Sequence, residues 1–181
     1  MKKSRKSFAA RGFTLIELIM VIVILASLAV VASPFLQNIP NIRAQMAAFK
    51  LRSDIRYAQL LAIQSSVRSR VVFNSGTHSY QLERDNGSGT FIAVMNPATR
   101  QNYTVTLNSG DFQGVTFSVV QLASPAAGNP NIVVFDALGA PSYINLTGSF
   151  VPLQEPASVE LNSLFRLRFR ALTGKVDIVN L

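Results

Sequence analysis

The chain has 181 residues, enough for one domain or for one domain with an appended segment. Its net charge of +8 is unevenly placed, because residues 1–12 hold five basic residues and no acid. A local basic cluster is typical of a membrane topology signal rather than of a surface that binds polyanions. The absence of cysteine excludes disulfide scaffolds, thiol catalysis and thiolate metal sites.

A long apolar run follows the basic cluster. No charged residue occurs from Leu18 to Ile42, and a bilayer core requires about 20 such residues. The basic residues before the run place the N-terminus in the cytoplasm and the rest of the chain across the membrane. We therefore expect a transmembrane helix over residues 13–36. A secretory signal peptide cut after Ala32 and a plain signal anchor are the simpler alternatives.

One carboxylate, Glu17, lies at the start of this run. Within a membrane helix it costs about 2 to 3 kcal/mol and is usually functional, and neither simpler alternative explains it. Glu17 closes the sequence GFTLIE, which begins at Gly12, follows basic residues and precedes the apolar run. This arrangement closely resembles the prepilin motif shared by type IV pilins and the pseudopilins of type II secretion.

The resemblance implies a processing step and an assembly role. A dedicated membrane peptidase would remove residues 1–12 as a cytoplasmic leader by cutting between Gly12 and Phe13, and Phe13 would become the N-methylated terminus. Glu17 of one subunit would then meet the Phe13 amine of its neighbour. Since each charge is costly alone in an apolar setting, the pair offsets both costs. Glu17 is therefore predicted to set the register in which subunits stack into a filament.

The segment after the apolar run combines proline with helical periodicity. Pro34 and Pro40 predict a kink or a locally unwound stretch. Residues 37–66 are predicted to form an amphipathic helix whose narrow, alanine-rich face packs on a sheet. The expected packing positions are Ala44, Ala48, Leu51, Ile55, Ala58 and Ala62. The charged residues expected to lie off that face are Arg43, Lys50, Arg52, Asp54 and Arg56.

From Val67 onward the pattern alternates as in β-strands. The predicted strands are 69–74, 79–84, 90–95, 102–107, 115–120, 131–136, 142–146, 164–170 and 175–180, with turn signals between them. Residues 148–163 are less regular, and Pro152 and Pro156 argue against a central strand there. Many short strands predict two packed antiparallel sheets. The expected fold is thus α+β, with a long N-terminal helix packed on a β-sandwich.

Three stretches resemble the GspH/FimT family, which includes the type II secretion minor pseudopilin H and the FimT and FimU minor pilins. These stretches are DIRYAQLLAIQSSVRSRVVFN, FDALGAP and RLRFRALTGKVDIV. The resemblance implies that residues 67–181 form a periplasmic domain and that the chain belongs to the initiating tip complex of a pseudopilus or pilus. Implied partners are other pilins or pseudopilins, the prepilin peptidase and N-methyltransferase, the inner membrane and secreted substrates. Residues 85–130 match nothing in this family.

Two functions remain open at this point. The first is a minor pseudopilin that supports protein secretion across the outer membrane. The second is a minor pilin that acts in pilus assembly or DNA uptake. The two use the same processing and helix stacking, so the first half of the chain does not separate them.

Catalysis finds little support in the sequence, and we expect neither an enzyme nor a cofactor or metal. The one histidine, His78, lies in a predicted turn and is expected to be a solvated loop residue. Asp111 and Asp136 lie beside turn glycines, where hydrogen bonds from the side chain to the local backbone account for them.

One basic cluster remains, on the strand of residues 164–170. A period of two places Arg166, Arg168 and Arg170 on one face, with Phe165, Leu167 and Phe169 in the core. Lys175 extends the basic edge. Spaced arginines can contact successive phosphates of DNA, but they can also form a solvated or protective face. The second interpretation is favoured because the mature domain is only mildly basic and no exposed aromatic residue is interleaved for base stacking.

Overall fold

The computed structural model describes residues 13–37, 39–124, 126 and 128–181 of the protein. The chain forms two compact units, the first ending at Ile39 and the second spanning Pro40–Leu181. The predicted leader and the Gly12 side of the predicted cleavage point lie outside the described residues.

Helix α1 spans Leu15–Gln37. Thr14 caps its start, since the Thr14 Oγ1 atom accepts a hydrogen bond from the Glu17 amide at 3.3 Å. Pro34 lies within α1, so the expectation of an unwound stretch at Pro34 is wrong, because one proline removes a single backbone hydrogen bond and a helix can continue past it. Within the described residues, no helix combines the length and the hydropathy that crossing a membrane requires.

Helix α2 spans Ile39–Ser65 and agrees with the predicted second helix. Pro40 occupies its first turn, where the missing N–H would have no helical partner anyway. All six predicted packing positions are buried, and Ala47 joins them. The prediction that Asp54 lies off the packed face is wrong, because Asp54 is only 3% exposed. At 100° per residue it lies at the edge of the buried face, within reach of the strands.

The described residues of the second unit contain eleven strands, all paired antiparallel. They are β1 Ser69–Asn74, β2 Ser79–Asp85, β3 Phe91–Ala93, β4 Thr104–Thr106, β5 Phe117–Gln121, β6 Ile132–Phe135, β7 Pro141–Ile144, β8 Phe150–Pro152, β9 Ala157–Leu161, β10 Phe165–Phe169 and β11 Val176–Asn180. The first sheet has the order β3-β2-β1-β6-β7-β8, with β4 also paired to β2. The second sheet has the order β11-β10-β9-β5.

One hydrophobic core joins α2 to both sheets. Small alanines on α2 allow close approach, and buried residues of alternate strand positions fill the interior. Phe73 of β1 meets Phe117 of β5 edge to face, with ring centroids 5.7 Å apart, and so connects the two sheets. The predicted α+β fold, with a helix packed on two antiparallel sheets, is confirmed.

The region 148–163 departs from its prediction. It contains β8 and β9, and β9 is an inner strand paired to both β10 and β5. Pro152 and Pro156 do not prevent this, because Pro152 ends the edge strand β8 and Pro156 immediately precedes β9. The prolines mark the strand ends and leave the strand between them intact.

Candidate functional site

The N-terminal end of α1 carries the predicted assembly residues. Phe13 is 79% exposed, and Glu17 lies in the first turn. The spacing of Thr14 and Glu17 is also that of a capping box, a signal that the motif resemblance did not include. A carboxylate in the first turn is favourable beside the positive end of the helix dipole. Glu17 therefore has a local structural role in addition to any role between subunits.

The apolar side chains of α1 are uncovered. From Leu15 to Val31 its large aliphatic residues are 46% to 77% exposed. Soluble monomers rarely expose contiguous apolar surfaces of this size, so such a surface marks a contact with a partner or a membrane.

Helix α2 has a second apolar face opposite the packed one. We call this the outer face; its large apolar residues are Ile42, Met46, Phe49, Leu60 and Ile63, each 44% to 53% exposed. At 100° per residue they centre about half a turn from the buried alanines. Sequence reasoning missed this face because it looked for one apolar stripe and expected polar residues opposite it. Ile42, Met46 and Phe49 follow one another in steps of four and three residues, which is typical of a helix–helix seam, and Leu60 and Ile63 continue the face about three turns further along.

The predicted basic face is largely neutralised by neighbouring acids. Arg166 contacts Glu160 at 2.7 Å through both its Nε and its Nη2 atom. Asp177 accepts from Arg170 Nε at 3.2 Å and lies 3.1 Å from Lys175 Nζ. Lys175 and Arg170 lower the pKa of Asp177 below its ordinary value. Leu167 and Phe169 are buried, and Phe165 packs on the core, as predicted.

Asp54 lies at the centre of a buried polar cluster. Lys50 Nζ donates to both carboxylate oxygens at 2.6 and 2.7 Å. The Tyr80 hydroxyl donates to Oδ2 at 2.7 Å, and the Tyr103 hydroxyl donates to Oδ1 at 2.9 Å. This cluster ties α2 to β2 and to the segment before β4, so the charge is held by four hydrogen bonds.

The cluster also shifts the pKa values of its members. Burial and then the Asp54 charge raise the pKa of Tyr80 well above its ordinary value. Burial, partly offset by the hydrogen bond from Lys50, raises the pKa of Tyr103. For Lys50 burial acts downward, but the hydrogen bonds to Asp54 and Tyr103 outweigh it and the pKa is raised.

Two turns, each of which contains a glycine, are hydrogen-bonded to the side chain of Gln59 of α2. Gln59 Nε2 donates to the Gly139 carbonyl at 2.8 Å and to the Thr173 carbonyl at 2.9 Å. Gly139 lies between β6 and β7 of the first sheet, and Gly174 lies between β10 and β11 of the second. The amide of Gln59 thus fastens one turn of each sheet to the helix. These three places lie in the three stretches that resemble the GspH/FimT family.

The remaining candidate residues have structural partners. His78 is half-buried, and its Nδ1 accepts from the Phe117 amide at 3.3 Å, so the prediction of a merely solvated loop residue is wrong. Its partner strand β5 is 39 residues away, which the sequence did not reveal. Asp136 Oδ1 accepts from the amides of Leu138 and Ala140, as predicted. Asp111 is exposed and makes no such bond within the described residues.

No cluster of three or more acidic or histidine residues that could hold a metal occurs in the part of the chain that the structure describes. A family model of the prokaryotic N-terminal methylation motif matches residues 8–33. The matched motif is that of N-terminally methylated prokaryotic proteins, and it covers the start of α1 and most of that helix.

Two solved structures of the minor pseudopilin EpsH from the type 2 secretion system of Vibrio cholerae have a similar fold. One shares 11% identity over 76% of this chain and 94% of that chain, with a TM-score of 0.50. The other shares 14% identity over 76% and 97% of the two chains, with a TM-score of 0.46. At these identities the likeness concerns the fold alone. No curated protein sequence matches the chain.

Proposed function

We propose that this protein is a minor pseudopilin, a structural subunit at the tip of a type II secretion pseudopilus that supports protein secretion across the outer membrane. The observation that carries the proposal is the uncovered apolar surface of α1 and of the outer face of α2, in a chain that begins with the methylation motif. The fold likeness to EpsH, which spans nearly all of that pseudopilin, supports this choice of machine.

Processing precedes assembly in this proposal. The prepilin peptidase cuts between Gly12 and Phe13 and the Phe13 amine is methylated. Until assembly, residues 13–36 hold the subunit in the inner membrane, with the N-terminus in the cytoplasm and residues 67–181 in the periplasm. The absence of charge from Leu18 to Ile42 supports this placement, although no described helix meets the requirement for a span.

Assembly rests on the helices. Glu17 of one subunit pairs with the Phe13 amine of the next, which places two charges together that would be costly apart. The outer face of α2 then packs against the helix of a neighbouring subunit. Arg56 lies within this face between Phe49 and Leu60, and Arg52 lies beside it. Asp54, the acid of α2, is already buried and paired. A neighbour with acidic residues beside its own seam therefore fits better than a second copy of this chain.

The alternative is a FimT/FimU-type minor pilin of a type IV pilus. Its assembly chemistry is the same, but its DNA-uptake form needs free cations. Arg166, Arg170 and Lys175 are already paired with acids, which favours the secretion role. Adjacency of the gene to other secretion pseudopilins supports the proposal, whereas adjacency to pilus or competence components supports the alternative.

The experiment that tests the assembly role replaces Glu17 by alanine. Glu17→Ala is expected to insert and to be cleaved normally, while its amount in sheared fibres falls at least about tenfold, as for the loss of a charge pair in an apolar setting. The control is Asp111→Ala, which removes an exposed acid of the second unit. Incorporation of Glu17→Ala at the level of the control would refute the register role.

A further inference from the structure

The outward face of the second sheet contains a groove that the assembly role does not use. Its floor is formed by outward residues of β5, β9 and β10 in register. Val119, Glu160 and Arg166 form one row, and Gln121, Ser158 and Arg168 form the next. A cavity of 470 Å³ lies over these rows, with Pro156 at its side. This volume falls within the range of ligand sites, about 300 to 1,000 Å³.

In the part of the chain that the structure describes, the charges of this face leave one cation, Arg168, without an ion-pair partner. Glu160 is bound by Arg166, and Asp177 is shared by Arg170 and Lys175. Arg168 lies directly opposite Asp177 in the strand pairing, yet Arg168 lines the cavity. Within residues 13–37, 39–124, 126 and 128–181 the Arg168 side chain has no ion pair and no hydrogen bond. Arg168 is half-buried as a residue, and a guanidinium has five N–H donors in a fork that matches a planar carboxylate.

The surroundings of Arg168 restrict what can bind. The Ser158 hydroxyl and the Gln121 amide are polar neighbours that can complete the hydrogen bonds of one carboxylate. Glu155 and Glu160 balance Arg166 and Arg168 in the lining of the cavity, so a ligand with several adjacent negative charges gains no net attraction there. A nucleic acid backbone is such a ligand, and a single carboxylate is not. Val119 and Pro156 add apolar contact for the chain that carries the carboxylate.

We propose that this groove, the Arg168 groove, binds an aspartate or glutamate side chain presented by an extended segment of a partner protein. Arg168 binds the carboxylate through two parallel N–H···O hydrogen bonds, and hydrogen bonds from Ser158 and Gln121 fix the orientation of the carboxylate. The site lies entirely in the second unit, so it does not depend on Glu17 or on the helices. The assembly proposal can therefore fail while the Arg168 groove still binds its ligand, and the groove can fail to bind while the assembly proposal holds.

The test uses the full chain in mild detergent, labelled with ¹⁵N, and end-capped six-residue peptides of valine and threonine with one glutamate. Saturable shifts of the Ser158 and Arg168 backbone amide signals are expected. Arg168→Gln should weaken binding by at least about tenfold, the effect of losing a charge-assisted hydrogen bond. Arg168→Lys should give an intermediate affinity, because the charge stays but the fork is lost.

Three controls make the result decisive. Arg170→Gln changes a neighbouring arginine that is held by Asp177, and its affinity should equal that of the wild type. The peptide with glutamine in place of glutamate should not bind. A peptide whose sole carboxylate is its free C-terminus, and a single-stranded oligonucleotide, should bind more weakly than the glutamate peptide.

The proposal is overturned by any one of three results. These are no saturable shift with the glutamate peptide, equal losses in Arg168→Gln and Arg170→Gln, or tighter binding of the C-terminal peptide or the oligonucleotide. An unchanged spectrum elsewhere in Arg168→Gln shows that the variant is folded, and Arg168→Lys serves as the second variant if it is not.

Discussion

At the scale of single residues, Asp54 is the position where sequence reasoning failed most plainly. Helical spacing placed it off the packed face with four basic residues, and a lone acid there is usually solvated. Its burial depends on Tyr80 and Tyr103, which lie 26 and 49 residues further along the chain. The sequence does not show that residues so far apart are hydrogen-bond partners, because strand pairing is what brings them together. The local signals, by contrast, predicted the hydrogen bonds of Asp136 correctly.

The Asp54 cluster predicts that the folded protein loses stability as the pH becomes alkaline. Because the folded-state pKa values of Tyr80, Tyr103 and Lys50 are raised, their stabilisation is complete below the ordinary values of 10.0 and 10.5 and is lost as pH rises through the raised ones. Tyr80→Phe should lower the free energy of unfolding by about 1 to 2 kcal/mol at neutral pH. It should also make the fall above pH 10 shallower.

Urea denaturation from pH 7 to 11 measures both effects. The control is Tyr143→Phe, at a tyrosine that is also buried, with 7% exposed, but has no hydrogen bond to a carboxylate in the described residues. The same pH dependence in Tyr80→Phe and in wild type would show that Tyr80 does not contribute to the alkaline loss.

Gly174 gives a second prediction at this scale. Its φ is +65°, and a Cβ atom there would lie 2.7 Å from Gln59 Nε2 and 3.1 Å from the Gly139 carbonyl oxygen. Gly174→Ala should therefore cost about 1 to 3 kcal/mol in the free energy of unfolding, since it adds a clash at the turn junction to the backbone strain. Gly148→Ala is the matched control, with φ +83° and open space around it.

Thermal or urea unfolding of the two alanine variants isolates the clash, because both carry similar backbone strain. Gly174→Ala should be the less stable of the two. Equal losses would mean that Gln59 moves aside at no cost and that the two turns are not fastened through it.

At the scale of elements, the sequence predicted nine strands close to their observed places and missed β8 and β9. Alternation and turn residues are local, so they located most strands directly. The prolines at 152 and 156 misled because their effect depends on whether they fall within a strand or at its end. The outer face of α2 was missed for a related reason. A helix with apolar residues on two sides gives no simple amphipathic pattern.

The outer face of α2 predicts a separation of assembly from stability. Phe49 is 47% exposed, so Phe49→Ser removes about half of the contact that a core phenylalanine makes and should lower the free energy of unfolding by about 1 to 2 kcal/mol, which leaves the domain folded. Its amount in fibres should fall severalfold, because a seam residue is lost. Gln45→Ser, at an exposed polar position of the same helix, is the control for helix propensity.

Quantifying the subunit in sheared fibres beside urea unfolding of the same variants tests this separation. A Phe49→Ser protein that enters fibres as well as Gln45→Ser does would show that the outer face is not a subunit contact.

At the scale of the whole molecule, the fold class followed from the order of patterns, with a helical half before an alternating half. The strand order within the sheets did not follow. The pairing of β1 with β6 and that of β5 with β9 join segments far apart in the chain, and only the shared core decides them. The N-terminal motif could be found in the sequence because its residues are contiguous. The Arg168 groove could not be predicted, because its residues come together only when β5, β9 and β10 lie side by side.

The central claim is that the chain is a processed subunit of a pilus-like fibre. Mass spectrometry of the subunit recovered from sheared fibres tests it most directly. The account predicts a chain that lacks residues 1–12, begins at Phe13 and carries one methyl group on the terminal amine. A fibre subunit that retains residues 1–12, or fibres without this protein from cells that express it, would contradict the account.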